Sequence, residues 1–343
     1  MNITRIGLDL AKNVFQVYAV DHKGHCLLSR SLKRDKLIAF FQKQPPCLIG
    51  MEACASAHFW ARTLMAMGHQ VKLIAPQFVK PYVKGNKNDA NDAEAICEAV
   101  SRPNMRFVPM KTVEQQNIQA LHRIRQVRQR TAHVNQIRGL LSEYGIVISL
   151  RTESLRNALP DILEDAENRL TADFRVLLKG LQEDLIYLDE RIDALDQAIK
   201  KLAQEHEGAR RLQQLRGIGP ITATALIAAI GDGHQFARGR DAATWCGLVP
   251  GQHSSGGKSK LLGISKRGDT YLRTLMIHSA RAVLQYSQHK DDRLSQWLQS
   301  VCSRRNKNIA AVALANKTMR MAWALLVRGQ DYDPNFGRET KSA

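Results

Sequence analysis

The sequence predicts a mixed α/β region at its N-terminal end, followed by a mainly helical remainder. Three strand-like runs open the chain at residues 3–9, 13–20 and 25–31, with a Gly-containing turn between the last two. Strand, helix, strand and helix then alternate as far as residue 101. A leucine repeat with helical spacing follows, and two long helical stretches occupy the C-terminal part. A chain of 343 residues has the length of two or three domains. Its composition divides it into residues 1–150, 151–207 and 208–343.

The charge of the chain indicates a nucleic-acid partner. The formal net charge is +18, and the part from residue 208 onward contains 21 Lys and Arg residues but only 8 Asp and Glu. Such an excess favours a polyanionic partner, with nucleic acid first and an anionic membrane second. Aromatic residues make up only 6% of the chain, which argues against single-strand binding by stacked aromatic platforms.

Cysteine use and the lack of targeting patterns predict a cytoplasmic protein. The six cysteines include no CxxC pair and no Cys/His cluster, which argues against a zinc site and a disulfide framework. The first residues lead directly into a strand pattern without a signal peptide, and no apolar run reaches membrane-spanning length. We therefore expect no membrane partner.

Four acidic residues stand where predicted strands end and where a helix begins. Asp9 ends the first strand, and Glu52 ends the fourth, an apolar strand suited to the centre of a sheet. Asp89 and Asp92 lie three residues apart in the first turn of a helix, so both project from one face. Asn88, directly before them, is a favourable N-cap.

These four carboxylates are candidates for a divalent-metal site. Neighbouring strand ends lie close together in a sheet, and a helix crossing beside them can bring two further acids to the same point. Donor sets made only of oxygen suit Mg²⁺ or Mn²⁺ and not zinc. Two such ions about 4 Å apart can activate a nucleophile and stabilise a leaving oxygen in phosphodiester cleavage. The alternative is that each acid is an ordinary turn or first-turn residue in water.

A long basic helix is predicted over residues 112–141. It carries His122, Arg123, Arg125, Arg128, Arg130 and Arg138, with almost no acids. We interpret it as a helix lying near a nucleic-acid backbone. The alternative is a solvated helical face.

The middle segment is acidic and predicts a coiled coil. Residues 161–207 contain 13 acids against six Lys and Arg. Their apolar residues recur at alternating spacings of three and four, an a/d heptad seam. Because an acidic coil binds nucleic acid poorly, self-association is favoured, and an intramolecular helical hairpin is the alternative. The seam consists of Leu178, Leu181, Leu185, Leu188, Ile192, Leu195, Ile199 and Leu202.

The third segment opens with a motif that resembles a helix–hairpin–helix. Residues 215–220 form a glycine-containing turn, and an apolar helix follows over 221–230. Gly217 and Gly219 would let backbone N–H groups approach a phosphate closely. A tight turn between packed helices explains the same pattern.

A polar, basic loop follows at residues 251–260 and continues to residue 269. Either Ser254 or Ser255 is a candidate nucleophile toward phosphorus. Nearby cations would neutralise the charge that develops in such an attack. Composition alone favours a linker that binds phosphate without chemistry. The basic residues are Lys258, Lys260, Lys266 and Arg267.

Taken in order, these motifs resemble the DEDD-type transposases of bacterial insertion sequences, the bridge-RNA-guided recombinases. The resemblance covers nearly the whole chain, and the combination is far more specific than any single motif. The motifs are GLDLAK (7–12), MEA (51–53), NDANDA (88–93), LRGIG (215–219), GLVP (247–250), SSGGK (254–258) and ISKRGD (264–269).

The resemblance implies a ribonuclease H-like, RuvC-like domain that holds Mg²⁺ on Asp9, Glu52, Asp89 and Asp92. It also implies a coiled-coil dimerisation segment and a C-terminal transposase domain whose serine becomes covalently joined to DNA. By the family pattern that serine is Ser255, although Ser254 beside it leaves the register open. The implied partners are donor DNA, target DNA, a structured guide (bridge) RNA and further copies of the chain, as a dimer or tetramer.

The leading hypothesis is therefore an enzyme that cuts and rejoins DNA with a composite Mg-carboxylate and serine site. One alternative is a metal-only nuclease of the Holliday-junction type, in which the C-terminal half only binds DNA. A second is a nucleic-acid-binding protein without catalysis, whose four acids are structural.

Overall fold

A computed structural model describes residues 2–86 and 88–334 of the chain. It contains two compact units, Met1–Thr112 and Val113–Ala343. The division at residue 112 does not coincide with the compositional boundary at 150, because the helices after residue 112 pack with the second unit. In the described part of the chain, no helix is both long and apolar enough to cross a membrane.

The first unit is built on a six-stranded mixed sheet in the order β3-β2-β1-β4-β5-β6. The three strands of the opening meander are antiparallel, β1, β4 and β5 are parallel, and the short β6 pairs antiparallel with β5. The predicted mixed α/β class is confirmed, and β6 is an additional strand that the sequence analysis did not predict. The strands are β1 (Arg5–Leu10), β2 (Val14–Val20), β3 (Cys26–Lys33), β4 (Leu48–Glu52), β5 (Gln70–Ile74) and β6 (Phe107–Val108).

Helices cover both faces of this sheet. Side chains alternate along a strand, so Ile6 and Leu8 of β1 face one side while Gly7 faces the other. Ile6 and Leu8 are fully buried in a core that includes Trp60 of the second helix, whereas the fourth helix lies against Gly7. The helices of this unit are α1 (Leu37–Phe41), α2 (Ala57–Ala66), α3 (Pro76–Val79) and α4 (Asp89–Ala99), with 3₁₀ turns at Arg34–Lys36 and Lys80–Tyr82.

The second unit is mainly helical and contains one two-stranded sheet. Its largest core joins the apolar faces of α9 to α14. The helices are α5 (Val113–Ile124), α6 (Val127–Glu143), α7 (Thr152–Glu164), α8 (Ala172–Glu205), α9 (Glu207–Gln213), α10 (Pro220–Ile230), α11 (Gly239–Trp245), α12 (Thr270–Ser287), α13 (Arg293–Arg304) and α14 (Lys307–Arg328). The strands are β7 (Pro250–Ser255) and β8 (Lys258–Ile264).

The single basic helix expected over 112–141 is wrong in one respect, because the chain breaks it into α5 and α6 at Arg125 and Gln126. At this break the side chain of Arg125 forms a bidentate ion pair with Asp196 of α8, in which Nε donates to Oδ1 and Nη2 donates to Oδ2 at 2.9 Å. Arg130 pairs with Asp189 of the same helix at 3.2 Å. Part of the basic charge is therefore neutralised inside the unit.

The leucine seam lies on α8, a single helix of 34 residues. Leu178 and Leu185 are buried in a core shared with α6 and α7, and Leu188 is also buried within the chain. The seam residues are thus buried against other helices of the same chain, as in the intramolecular alternative. A coiled coil between two chains is not confirmed.

Candidate active site

Asp9 and Glu52 are placed by the pairing of β1 with β4. These strands run parallel, and the last pair in register is Leu8 with Met51. Asp9 and Glu52 each follow one residue later, at the carboxyl ends of adjacent strands. The expected convergence of these two acids at one sheet edge is a direct consequence of that register.

Two glycines allow α4 to lie close to this edge. Gly7 and Gly50 face each other in register on β1 and β4. A Cβ atom at Gly7 would overlap the carbonyl oxygen of Ala93 and lie 2.6 Å from the Cys97 nitrogen, and one at Gly50 would lie 2.8 Å from Cβ of Val100. The backbone of α4 therefore passes where side chains would normally stand.

The N-terminus of α4 is fixed by local hydrogen bonds. The side-chain oxygen of Asn88 accepts from the Asn91 backbone N–H at 2.8 Å, which confirms the predicted N-cap. The side-chain Nδ2 of Asn91 donates to the backbone carbonyl of Asn86, also at 2.8 Å. Asp89 and Asp92 occupy the first turn that these bonds hold. The helix dipole favours negative charge at this position.

The four carboxylates interact electrostatically. Asp9 is partly buried, and its pKa is raised to about 6 by burial first, then by the negative charges of Asp89, Asp92 and Glu52. We call these four residues the carboxylate corner. Within residues 2–86 and 88–334, no three His, Cys, Asp or Glu side chains are drawn into a metal-binding arrangement. The four acids are therefore close enough for their charges to interact, but their side chains are not at the distances required to coordinate one metal ion.

The chemistry of the corner fits a hard divalent cation. Its donors are carboxylate oxygens, the ligands that Mg²⁺ and Mn²⁺ prefer. Burial and the charges of Glu52 and Asp9 raise the pKa of the neighbouring Cys54 thiol, so that this sulfur stays protonated and is a poor ligand. A cation beside Asp9 would remove the repulsion that raises its pKa.

The serine segment, expected to be a flexible loop, is a β-hairpin formed by β7 and β8, which we call the serine hairpin. Gly256 and Gly257 form its two-residue turn with φ of +56° and +77°. Such a turn needs two left-handed residues, which glycine supplies without strain.

Strand alternation separates the two candidate serines onto opposite faces of the hairpin. Ser255 shares a face with His253, Lys258 and Lys260, because it pairs with Lys258 and His253 pairs with Lys260. Ser254 lies on the other face, where its hydroxyl accepts from Gln252 Nε2 at 2.6 Å. The face of Ser255 is thus the cationic one.

The turn after the hairpin is held rigidly. Lys266 has a left-handed backbone with φ of +54°, unusual for a side chain of this kind. Arg273 of α12 is buried, and its guanidinium donates to the carbonyl of Arg267 at 3.1 Å and to that of Cys246 at 3.4 Å. Lys266 and Arg267 are themselves exposed.

The remaining candidates, two arginines and two glycines, are all exposed. Arg123 and Arg128 are exposed, as expected for nucleic-acid contacts. Gly217 and Gly219 are also exposed, and Gly219 is the N-cap of α10. Gly217 has a left-handed backbone with φ of +85°, and a Cβ atom there would lie 2.7 Å from Cγ2 of Val283 in α12. Backbone conformation and packing both explain Gly217, and the helix–hairpin–helix is not confirmed.

His122 was counted with the basic helix, which is wrong because it is buried. Its Nδ1 lies 3.0 Å from the Tyr271 hydroxyl and its Nε2 lies 3.0 Å from Thr224 Oγ1. Burial first, then the charge of Arg125, lowers the pKa of His122 to about 4. The imidazole is neutral and ties α5 to α10 and α12.

Sequence reasoning missed the glycine pair and Arg273. The glycines have a recognisable pattern, since both strands carry Gly between an Ile and a second large apolar residue: Ile6-Gly7-Leu8 and Ile49-Gly50-Met51. Arg273 has no such pattern, because only its tertiary contacts distinguish it from the other arginines.

Comparison with known proteins agrees with this architecture. A DEDD transposase model of the IS110 type matches residues 6–146, and a model described as "Transposase IS116/IS110/IS902 family" matches residues 209–295. A probable family 20 transposase from Pseudomonas aeruginosa is 52% identical over 337 residues, 97% of this chain and 100% of that protein.

Two further relatives are transposases of named insertion elements. The transposase for IS1111A of Coxiella burnetii is 46% identical over 96% of this chain and 92% of its own length. The transposase for IS1328 of Yersinia enterocolitica is 44% identical over 96% of this chain and 98% of its own length. With the carboxylate corner and the serine hairpin in the regions that the two models match, the chain belongs to the IS116/IS110/IS902 family of transposases, enzymes that cut and rejoin DNA.

Proposed function

We propose that this transposase uses both the carboxylate corner and Ser255 to cut and rejoin DNA strands. The observation that carries the proposal is the grouping of Asp89, Asp92 and Glu52 around Asp9, whose pKa is raised to about 6 by burial first and then by these three charges. Repelling carboxylates are held together at a cost, and a bound cation is the usual reason for holding them.

The corner is the proposed Mg²⁺ site, with Mn²⁺ as a substitute. Asp9, Glu52, Asp89 and Asp92 are the residues that would hold the ion. When bound there, a divalent ion supplies Lewis-acid stabilisation of negative charge on phosphate oxygens. The side chains orient the site, and Asp9 must lose its proton before it can serve as a ligand.

Ser255 is the proposed nucleophile. Its hydroxyl oxygen bonds to phosphorus while the bond from phosphorus to a deoxyribose oxygen breaks. The proton of the serine leaves, and the departing oxygen takes up a proton. Rejoining is the reverse attack by a DNA hydroxyl, which releases the serine. Ser255 is supported over Ser254 because its hairpin face carries Lys258, Lys260 and His253.

Nucleic-acid backbones are proposed to contact the exposed cations of the second unit. Donor and target DNA are the proposed substrates, and a structured guide RNA encoded beside the gene is a proposed partner. The exposed cations that support this are Arg123, Arg128, Lys258, Lys260, Lys266 and Arg267, together with the exposed glycines Gly217 and Gly219.

Self-association is proposed to use the outer face of α8, since the leucine seam is buried within the chain. Val176 and Tyr187, which lie about three turns apart on one side of this helix, expose 74% and 54% of their surface. Val176→Glu combined with Tyr187→Glu should lower the mass measured by light scattering. An unchanged mass in this double variant would rule out this face.

The test of the whole proposal is a denaturing gel of the protein with labelled donor DNA in Mg²⁺. Ser255→Ala should bind DNA, give no shifted covalent band and fail to recombine DNA, since loss of a nucleophile reduces the rate by about three or more orders of magnitude. Ser254→Ala is the matched control and should retain the band.

Two outcomes would change the assignment. If Ser254→Ala loses the band and Ser255→Ala keeps it, the nucleophile is the neighbouring serine. If both single variants and the double variant still cut and rejoin DNA, the serine mechanism is wrong and a metal-only nuclease takes its place.

A further inference from the structure

A large groove of about 1300 Å³ lies in the second unit, and neither Ser255 nor any of the four carboxylates lines it. We call it the C-terminal groove. Its long wall is α14, whose groove residues Ile309 to Ala324 recur at helical spacing and extend over about 22 Å. The other walls come from the start of α11, from Trp297 of α13 and from the base of the serine hairpin.

The floor of the C-terminal groove is apolar and open. Val312, Ala313 and Met321 of α14 are only partly buried there. Trp323 points its ring nitrogen away, donating to the Gly233 carbonyl at 3.1 Å, and thus leaves its apolar ring for the floor. Two of the four tryptophans of the chain, Trp297 and Trp323, line this one groove.

The rim is cationic. Arg238, Arg240, Lys317 and Arg320 line the groove, and no acidic side chain among the described residues lines it. Lys317 lies over the Trp297 ring with its Nζ 4.6 Å from the centroid. Burial, with the charges of Arg293 and Arg320, lowers the pKa of Lys317. Arg238 has a counter-charge in Asp241, whose carboxylate lies 3.9 Å from its Nε, so the net positive charge of the rim comes from Arg240, Lys317 and Arg320.

Close packing brings the rim arginines together. A Cβ atom at Gly239 would lie 3.1 Å from the carbonyl oxygen of Arg320. The small residue between Arg238 and Arg240 therefore lets the start of α11 sit directly on α14, which places the backbones of both arginines near that of Arg320. Packing alone would not require three arginines at such a junction.

We propose that the C-terminal groove binds an unpaired segment of nucleic acid, with bases against the apolar floor and phosphates on the rim. A concave apolar floor is accessible to bases only when they are unpaired, and the strong rim charge matches a polyanionic backbone. Pro250, Leu262 and Ile264 at the base of the serine hairpin line the same groove. A strand lying in it is thereby guided toward the hairpin that carries Ser255.

The low aromatic content of the chain, 6%, argues against a stacked aromatic platform in this groove. The floor is mainly aliphatic, so bases would be held by apolar contact and phosphate charge, with the two indole rings as the aromatic contribution. This binding does not depend on which serine is the nucleophile.

The experiment measures fluorescence anisotropy of full-length protein with a labelled single strand of about 12 nucleotides, within the usual site size, and with the matching duplex. EDTA is present to prevent cleavage. Single-stranded DNA and RNA of the same sequence are compared, and tight binding of either supports the proposal and identifies the strand.

The charge variant is Arg240→Ala combined with Arg320→Ala, both exposed. We expect affinity for the single strand to fall about tenfold or more, and the slope of log affinity against log salt to become shallower by about 1.4, the value for two lost phosphate contacts. Duplex affinity should change by less than about threefold. The matched control is Arg169→Ala with Arg210→Ala, two exposed arginines outside the groove, which should not change single-strand affinity.

The shape variant is Ala313→Trp, which fills the floor, with Ala198→Trp on the exposed side of α8 as its control. Only Ala313→Trp should weaken single-strand binding. If it does not fold, the arginine pair still decides the question.

Three outcomes would overturn the proposal. Unchanged single-strand affinity in the arginine variant would show that the groove does not hold a strand. An equal loss for strand and duplex would make the arginines a general backbone patch. Unchanged nucleic-acid binding with a lower mass in light scattering would assign the groove to a second copy of the chain.

Discussion

The acids of the carboxylate corner are attached to buried strands, whereas the serine hairpin consists almost entirely of exposed residues. Asp9 and Glu52 extend strands whose preceding residues, Leu8 and Met51, are fully buried. In the hairpin, every residue from 252 to 263 is exposed. Metal-binding acids need fixed positions because repulsion would otherwise separate them. A nucleophile that must reach a phosphate in a large substrate benefits from a freely accessible strand pair.

The difference also appears in the glycines of the two regions. Gly7 and Gly50 have ordinary backbone angles and are required because α4 touches them. A Cβ atom at Gly256 or Gly257 would meet nothing within 4 Å, and both glycines are required for their left-handed backbone. The same residue type thus provides close packing in one region and a tight turn in the other.

The largest effect is expected for Asp9→Asn. Loss of one carboxylate from the corner should reduce DNA cleavage in Mg²⁺ by about three orders of magnitude or more, as for other residues that act as a unit. Calorimetric Mg²⁺ titration should show weaker binding, while Ser255 remains in place. The control is Asp35→Asn, an exposed acid on a 3₁₀ turn. Full activity of Asp9→Asn in Mg²⁺ would contradict the metal-site proposal.

Gly7→Ala should break the corner through packing alone. The added methyl group overlaps the backbone of α4, and overpacking of this kind lowers the free energy of unfolding by about 1–3 kcal/mol. Because α4 must move, Mg²⁺ affinity should fall as well.

The comparison variant is Gly257→Ala, where a left-handed residue strains an exposed turn by about 1–2 kcal/mol. Since the hairpin has no buried residues from 252 to 263, global unfolding measured with urea should hardly change. A larger loss of global stability for Gly257→Ala than for Gly7→Ala would refute this view of the two regions.

The two units should respond to pH in opposite directions. The pKa of Asp9 is raised from 3.8 to about 6 in the folded protein, so the folded state holds this proton more tightly than the unfolded chain. Stability from this group is therefore present at low pH and is lost as the pH rises from about 4 to about 6. Asp9→Asn should consequently stabilise the metal-free protein at pH 7 and have little effect near pH 4.

His122 gives the reverse dependence. Its pKa is lowered from 6.5 to about 4 in the folded protein, so the folded state holds the proton less tightly. Stability from the neutral imidazole is present above about pH 6.5 and is lost as the pH falls toward 4. His122→Gln should flatten this loss. Hydrogen exchange followed by mass spectrometry can assign each effect to its unit, and a change of the same sign in both units would refute the assignment.

Sequence patterns predicted the corner better than they predicted the second unit. Strand ends and an N-cap are local features, and Asn88 and the sheet positions of Asp9 and Glu52 follow from them. By contrast, a polar residue that the sequence pattern assigns to the surface can form its contacts with residues far away in the chain, and local patterns do not reveal them. Arg125 pairs with Asp196 across 71 positions, and His122 meets Tyr271 across 149, so both were misassigned to a basic helix lying near a nucleic-acid backbone.

The hairpin shows the converse limitation. Ser254-Ser255-Gly256-Gly257-Lys258 lacks the apolar alternation by which strands are usually recognised, and its polar composition predicts a loop. The segment forms a hairpin because Gly256 and Gly257 make a two-residue turn and the strands on either side pair through backbone hydrogen bonds. Such a turn does not require buried apolar side chains. The choice between the two serines therefore depends on strand alternation, which the sequence alone did not reveal.

The smallest expected effect distinguishes capping from site assembly. Asn88→Ala removes the cap of α4 and should lower stability by about 1 kcal/mol. Thr171→Ala removes the cap of α8, where the threonine hydroxyl accepts from the Phe174 N–H at 3.2 Å, and should lower stability by a similar amount. Only Asn88→Ala should also weaken Mg²⁺ binding, because only α4 carries two acids of the corner in its first turn. Calorimetry with Mg²⁺ on both variants provides the measurement. Equal Mg²⁺ affinity in the two would mean that Asp89 and Asp92 are positioned by the packing of α4 on Gly7 and Gly50, and that the cap contributes only stability.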